Sequence, residues 1–235
     1  HYNSRGETGL LKFLPEAIGK NIELIPGDLL DEQAVDQAVQ GSDLVFHLGA
    51  LISIPYSYYH PTQVIQTNIL GTLSVLNACR RYGSRLVATS TSEVYGSGLY
   101  VPINEDHPLQ AQSPYSASKI AADKLVESYC KSFDLQAVIV RPFNTYGPRQ
   151  SARAIIPTII TQALALDSIK LGNLDTTRDF TYVSDTVNGF LSAAQAENRS
   201  GEVYNLGTGS EITIGKLAET IMSLIGRDVP VRVDD

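Results

Sequence analysis

Along the chain, short apolar runs rich in β-branched residues alternate with longer segments whose apolar positions recur every three or four residues. Ile22-Glu23-Leu24-Ile25 precedes a helical pattern from Gln33 to Val39, and Leu44-Val45-Phe46 precedes one from Thr62 to Tyr82. Arg85 to Ala88 is followed by a pattern from Ser113 to Phe133, and Ala137 to Val140 by one from Ile155 to Leu166. Continuous apolar runs suit strands covered on both faces, whereas the longer period suits one buried helical stripe. Their alternation predicts βα units and an α/β fold: a doubly wound parallel sheet with helices on both faces.

Beyond Tyr146 the pattern loosens into Pro- and Arg-containing loops, with short strands expected near Lys170-Leu171 and over Val203 to Leu206, and a helix over Ile214 to Ile225. This reads as a smaller substrate-covering region interleaved with the sheet. No internal repeat, low-complexity tract or long linker interrupts it.

Turn signals fall where the predicted strands end: Gly27-Asp28, His47-Leu48-Gly49-Ala50, Ser90-Thr91-Ser92-Glu93 and Arg141-Pro142-Phe143-Asn144. Open α/β sheets bind ligands outside the carboxyl ends of their strands, so these four ends are expected to line one crevice. Within it, Tyr115 and Lys119 lie one helical turn apart, where an ammonium can lower a phenol's pKa and make it a usable base. With 12 Tyr in 235 residues such a spacing arises easily by chance. Its weight comes from opening an amphipathic helix one connection after a buried strand that ends in Ser/Thr/Glu. Glu93 adds a second acid/base group beside the same site. Oxidation of an alcohol combined with a second proton transfer suggests dehydration or epimerisation.

Other candidates carry two readings each. Asp28 could accept from an adenine amino group or cap the next helix, while Asp31 is a helix cap. Gly49 and Ala50 suit close approach of a cofactor to the backbone, or a plain tight turn. Asn68, in an otherwise apolar helix, calls for a structural bond to a neighbouring loop. Arg149, Arg153 and Arg178 suit bidentate phosphate binding or surface ion pairs.

Composition narrows the function class. The formal net charge of −7 argues against a nucleic-acid or anionic-membrane surface and leaves any anion to local arginines. No run approaches the roughly eighteen apolar residues of a membrane span. The two cysteines and four histidines show no metal-ligand spacing, and buried thiols in a reducing, cytoplasmic compartment are the expectation.

These residues together resemble the extended short-chain dehydrogenase/reductase superfamily, in its NAD-dependent nucleotide-sugar epimerase/dehydratase branch. The likeness runs from Tyr2 almost to the end. Thr91-Ser92-Glu93 is similar to sugar-nucleotide 4,6-dehydratases, whereas 4-epimerases typically carry a small residue where Glu93 stands. The strings from Arg141 to Arg153 and from Gly172 to Phe180 resemble bacterial dehydratases acting on UDP-N-acetylglucosamine. The resemblance implies a Rossmann-like NAD-binding domain over 1–146 and a mainly substrate-binding region over 147–235. It places Asp28 and Leu29 beside adenine, Leu48, Gly49 and Ala50 along the cofactor, and Thr91, Glu93, Tyr115 and Lys119 at the chemistry. Asn144 and Arg178 are expected on the substrate diphosphate, with Arg149 a further substrate-binding candidate.

Two departures qualify the likeness. Ser92 stands where many dehydratases have an acidic Asp, so Glu93 is expected to serve as both base and acid, a Thr-Ser-Glu variant that UDP-glucuronate decarboxylases share. No glycine-rich dinucleotide turn stands near the start, and Tyr2-Asn3-Ser4 looks like the loop after a second strand. A preceding βα unit and a C-terminal stretch beyond Asp235 are therefore expected to be missing, leaving an inactive fragment of an active enzyme. The expected activity is 4,6-dehydration of a nucleotide-diphosphate sugar through a 4-keto intermediate, with NAD retained. The alternatives are a 4-epimerase, a UDP-glucuronate decarboxylase or a non-catalytic NAD(P)-binding regulator. A homodimer is expected, formed through the two long helices.

Overall fold

In the computed structural model, residues 9–196 and 199–233 are described; the expectation for Tyr2-Asn3-Ser4 lies outside them. In chain order, the short helix α1 (Glu16–Gly19) precedes α2 (Glu32–Val39) and strand β1 (Leu44–His47). Next come α3 (Ile54–Tyr59), α4 (Pro61–Ile65), a π-helical turn (Gln66–Leu70) and α5 (Gly71–Tyr82). Strand β2 (Arg85–Thr89) leads through a 3₁₀ turn (Ser92–Tyr95) to α6 (Pro114–Phe133), β3 (Ala137–Pro142) and β4 (Asn144–Tyr146). Then come α7 (Ile155–Ala165), β5 (Ile169–Leu171), β6 (Thr177–Arg178), β7 (Phe180–Tyr182) and α8 (Val183–Gln195). The chain closes with β8 (Val203–Leu206), β9 (Ile212–Thr213), α9 (Ile214–Ile225) and β10 (Val231–Val233).

The chain divides into two compact units, 1–142 with 189–205 and 143–188 with 206–235. The first is built on a sheet in the order β1-β2-β3-β8. Its strands β1, β2 and β3 run parallel, pairing Val45 with Leu86 and Val87 with Val138. Leu86, Val138 and Ile139 are fully buried, and Leu86 and Ile139 pack with Val75, Leu76 and Cys79 of α5 and Val126 of α6. Apolar runs covered on both faces produce a parallel sheet, as the alternating pattern predicts.

The second unit has its own core, where Ile159 and Ala163 of α7 meet Ile169, Leu171 and the face of α9 that carries Leu217, Ala218 and Ile221. There β4 pairs with β7, β5 with β10 and β6 with β9.

One expectation of the fold needs correction, and two features add to it. Residues 22–25 form no strand, and Ile22, Leu24 and Ile25 are exposed. Among the described residues this segment pairs with no strand of any sheet, and apolar side chains alone do not hold a strand without a ladder partner. The helix expected over Thr62 to Tyr82 is continuous, but it contains the π turn at Gln66–Leu70. The helix α8 is absent from the sequence reading, because it begins directly after β7 with no turn residue to mark its start.

Candidate active site

Strand β2 ends in a clamped turn. Thr91 has extended backbone and caps the turn, its hydroxyl oxygen accepting from the Glu93 amide at 3.2 Å. At the other end Gly96 has φ +65°, and a Cβ there would lie 2.6 Å from the Gln110 carbonyl oxygen. Only glycine serves in that left-handed backbone under that close neighbour. Gln110 in turn donates its amide to the Val94 carbonyl at 2.8 Å. Glu93, half-buried, therefore sits on a single turn fixed at both ends.

Helix α6 starts at a capping box in which Ser113 and Ser116 satisfy each other's amides at 3.0 Å, with Pro114 in the first turn. That start places Tyr115 and Lys119 on one face, 6 % and 5 % exposed. Burial pushes the Tyr115 phenol up to about 12, with the Glu93 and Asp123 carboxylates adding to the rise and the Thr91 hydroxyl opposing it. The Lys119 ammonium donates to the Thr89 carbonyl at 2.6 Å, and burial lowers its pKa. The expected depression of the phenol by Lys119 is thus not found. The ammonium is held by β2, and desolvation dominates the phenol.

Asn68 meets its expectation. Its Oδ1 accepts from the Leu51 amide at 2.8 Å, and its Nδ2 donates to the Leu51 carbonyl at 3.0 Å and to Ser118 Oγ at 2.9 Å. The π turn thereby fastens the loop after β1 to the helix bearing Tyr115. His47 lies behind it. The Thr72 hydroxyl donates to the Asn68 carbonyl at 2.7 Å, so His47 Nε2 is the donor in its 3.0 Å bond to Thr72 Oγ1.

Asp28, Leu29, Gly49 and Ala50 come together, lining a cavity of about 440 Å³ with Gly27 and Leu51. Asp28 Oδ1 accepts from the Leu30 amide at 3.0 Å, and Asp31 caps α2 through the amides of Gln33 and Ala34. A Cβ on Gly49 would stand 3.0 Å from Leu29 Cδ1, and one on Gly71 would stand 2.8 Å from Leu29 Cβ. Leu48, at 63 % exposed, points to the surface. An apolar slot beside a carboxylate and the loop after β1 fits a purine ring.

The remaining candidates belong to the second unit. Asn144 opens β4, its amide donating to the Asp179 carbonyl at 3.0 Å. Arg178 lies in β6, half-buried, with Nη1 donating to the Thr177 carbonyl at 2.8 Å. Arg149 has φ +70° in the loop after β4. The Asp179 carboxylate gathers the amides of Thr208 and Gly209 and the Thr208 hydroxyl, and so shapes the neighbouring loop.

Among the described residues no group of His, Cys, Asp and Glu could hold a metal ion, and no helix is long and apolar enough to cross a membrane.

The profile of the GDP-mannose 4,6-dehydratase family matches residues 2–234. The chain belongs to this family. UDP-glucuronic acid decarboxylase 6 of Arabidopsis thaliana is 34 % identical over 96 % of the chain and 66 % of its own length. The chain thus spans about two thirds of that relative. The structure of UDP-N-acetylglucosamine 4-epimerase from Methanobrevibacter ruminantium, in complex with UDP-N-acetylmuramic acid, superposes with a TM-score of 0.89 and 30 % identity, over 97 % of this chain and 75 % of that one. DesIV, a dTDP-glucose 4,6-dehydratase from Streptomyces venezuelae with NAD bound, gives 0.81 and 29 %, over 94 % and 72 %. Dehydratases, epimerases and decarboxylases of one Rossmann-like fold are therefore this family's relatives, as the resemblance in the sequence implied.

In this family member the sequence reading overlooked a buried polar cluster. Arg141, 2 % exposed, bonds Asp123 Oδ2 through Nε and Nη2 at 3.0 Å each, and donates from Nη1 to the Tyr95 hydroxyl at 2.9 Å. Burial pushes the Asp123 carboxyl upward while Arg141 and Lys119 pull against it. The signal was present. An arginine that continues the apolar run Ala137 to Val140 needs a buried partner, and Asp123 stands one turn beyond Lys119.

Proposed function

We propose that the protein is a NAD-dependent nucleotide-sugar 4,6-dehydratase acting on UDP-N-acetylglucosamine or a similar sugar through a 4-keto intermediate. The observation that carries this reading is the Glu93 carboxylate, held on the same clamped turn as Thr91, its charge felt at the Tyr115 phenol. In this reading the first unit binds NAD, with Asp28, Leu29, Gly49 and Ala50 around the adenine and nearby cofactor. Asn144, Arg149 and Arg178 of the second unit take the substrate diphosphate.

NAD, when bound, accepts hydride from C4 of the sugar and returns it at C6. Tyr115 Oη takes the C4 hydroxyl proton while the Thr91 hydroxyl shares the hydrogen bond. Burial disfavours the phenolate, so the action of Tyr115 as a base requires a cation to favour it. The positive nicotinamide of bound NAD would supply that cation, while Lys119 holds the Thr89 carbonyl of β2. The 4-ketone acidifies C5, and a Glu93 carboxylate oxygen takes the C5 proton. The same group then protonates the departing C6 hydroxyl, which leaves as water; C5 is finally reprotonated from solvent, and Tyr115 releases the C4 hydroxyl proton to solvent.

Decarboxylation is the second reading, favoured by the Arabidopsis relative and by the Thr-Ser-Glu turn. Incubation with a panel of nucleotide sugars separates the readings by product mass. Loss of water supports the dehydratase, loss of carbon dioxide from a glucuronate substrate the decarboxylase, and unchanged mass with inverted C4 the epimerase.

A further inference from the structure

The two elements that carry the candidate acid/base groups are separate in the chain, yet one arginine grips both. Tyr95 closes the 3₁₀ turn two residues after Glu93, and its fully buried hydroxyl accepts from Arg141 Nη1 at 2.9 Å. Asp123 lies on α6 one turn after Lys119, 3 % exposed, and accepts from Arg141 Nε and Nη2. Arg141 itself projects from β3, the strand beside β2. Its planar fork has fixed donor directions, so the two partners cannot shift independently without breaking a bond.

The far side of Tyr95 is held as well. Its hydroxyl donates to Asn205 Oδ1 at 2.7 Å, while Asn205 Nδ2 donates to the Ile103 carbonyl at 3.2 Å and its amide to Glu105 Oε1 at 2.7 Å. The Tyr95 ring meets His107 edge-on, with centroids 5.4 Å apart, and Arg141 lies over the ring at 5.1 Å. The Tyr95 hydroxyl is thereby committed both as donor and as acceptor. None of these groups is among those proposed to touch the sugar or the cofactor. A buried charge pair that costs desolvation and is not needed at the reacting atoms points to a geometric task.

We propose that Arg141 is a positioning residue that sets the Glu93 turn relative to the Tyr115–Lys119 helix, acting through Tyr95 on one side and Asp123 on the other. The inference rests on the dehydratase reading for its kinetic consequence but not for its structural one. A buried hydrogen-bonded linkage of this kind holds two proton-transfer groups in register, and small displacements of such groups slow the step they serve.

The test uses Tyr95→Phe, which removes one hydroxyl and leaves the ring in place, and Arg141→Lys, which keeps the charge and loses the fork. Amide hydrogen exchange, read by mass spectrometry without substrate, should accelerate at least tenfold over 92–96 in both variants. Arg141→Lys should add acceleration over 115–123. With a nucleotide sugar that the unaltered protein turns over, solvent deuterium entry at C5 in Tyr95→Phe should fall at least tenfold more than formation of reduced nicotinamide. Unchanged exchange over 92–96 in Tyr95→Phe overturns the inference even if Arg141→Lys fails to fold. An equal fall of both steps together with faster exchange throughout the unit also overturns it, since that is general loosening. Faster local exchange, in a protein that dehydrates no nucleotide sugar, supports the linkage and removes the dehydratase reading.

Discussion

Asn68 and Ser118 are joined by a 2.9 Å hydrogen bond between side chains that lie far apart in the chain, and Ser118 passes the connection on by donating to the Tyr115 carbonyl at 2.6 Å. Asn68 lies in the π turn, and its one side chain serves both the loop after β1 and α6. Asn68→Ala would strip three bonds and leave the buried Leu51 groups unmatched. At about 1 kcal/mol for each bond, the expected loss is about 2–4 kcal/mol. Thermal unfolding should show this as a drop in Tm of roughly 5–15 °C. A shift under about 2 °C would mean the clamp contributes little.

His47 gives the fold an acid limit. Burial, with the Lys119 charge adding to it, brings its pKa down from 6.5 to about 4. The unfolded chain therefore takes up a proton near pH 6.5 that the folded chain refuses until about pH 4. Stability present above about pH 6.5 is lost as pH falls through that window, by up to about 3 kcal/mol. Urea midpoints measured from about pH 7 to about pH 4 should fall accordingly, and His47→Gln should flatten part of the slope. An equally steep slope in the variant would assign the loss to other groups.

Gly96→Ala forces a Cβ to within 2.6 Å of the Gln110 carbonyl at φ +65°. The strain, on the order of 1–3 kcal/mol, falls on the turn that carries Glu93. Both stability and turnover should drop, measured by denaturation and by product mass. Turnover close to that of the unaltered protein would show that the turn tolerates displacement.

The two long helices, over 62–82 and 113–133, leave Ile65, Leu70 and Phe133 at 42 %, 48 % and 43 % exposed. Pairing of two copies through this region would cover them. Light scattering at micromolar concentration should report a dimer mass that falls to the monomer's on Leu70→Glu. A monomer mass in the unaltered protein would contradict the expectation.

The helices over Thr62 to Tyr82, Ser113 to Phe133 and Ile214 to Ile225 were legible because each carries a sustained period and a marked end. Ser113 caps α6, and Gly83 and Gly226 end α5 and α9 in left-handed backbone. The strand at Val203 to Leu206 was equally plain. What the sequence hid is tertiary. Ile22 to Ile25 has the residues of a strand but no described neighbour to pair with. The π turn at Gln66–Leu70 keeps a helical pattern, so nothing local marks it. Tyr115 and Lys119 share a face as their spacing requires, yet burial rather than their mutual charge governs the phenol. The bond between Arg141 and Asp123 depends on β3 lying beside β2 and against α6, which no local pattern announces.

The central claim is that Glu93 handles the C5 proton, and Glu93→Gln tests it most directly, since an amide cannot accept that proton. With the true nucleotide sugar the variant should still form reduced nicotinamide, visible by absorbance, and then stall. Water loss and solvent deuterium entry at C5 should fall by a factor of about 10²–10⁴. Loss of water at the unaltered rate in Glu93→Gln would contradict the account.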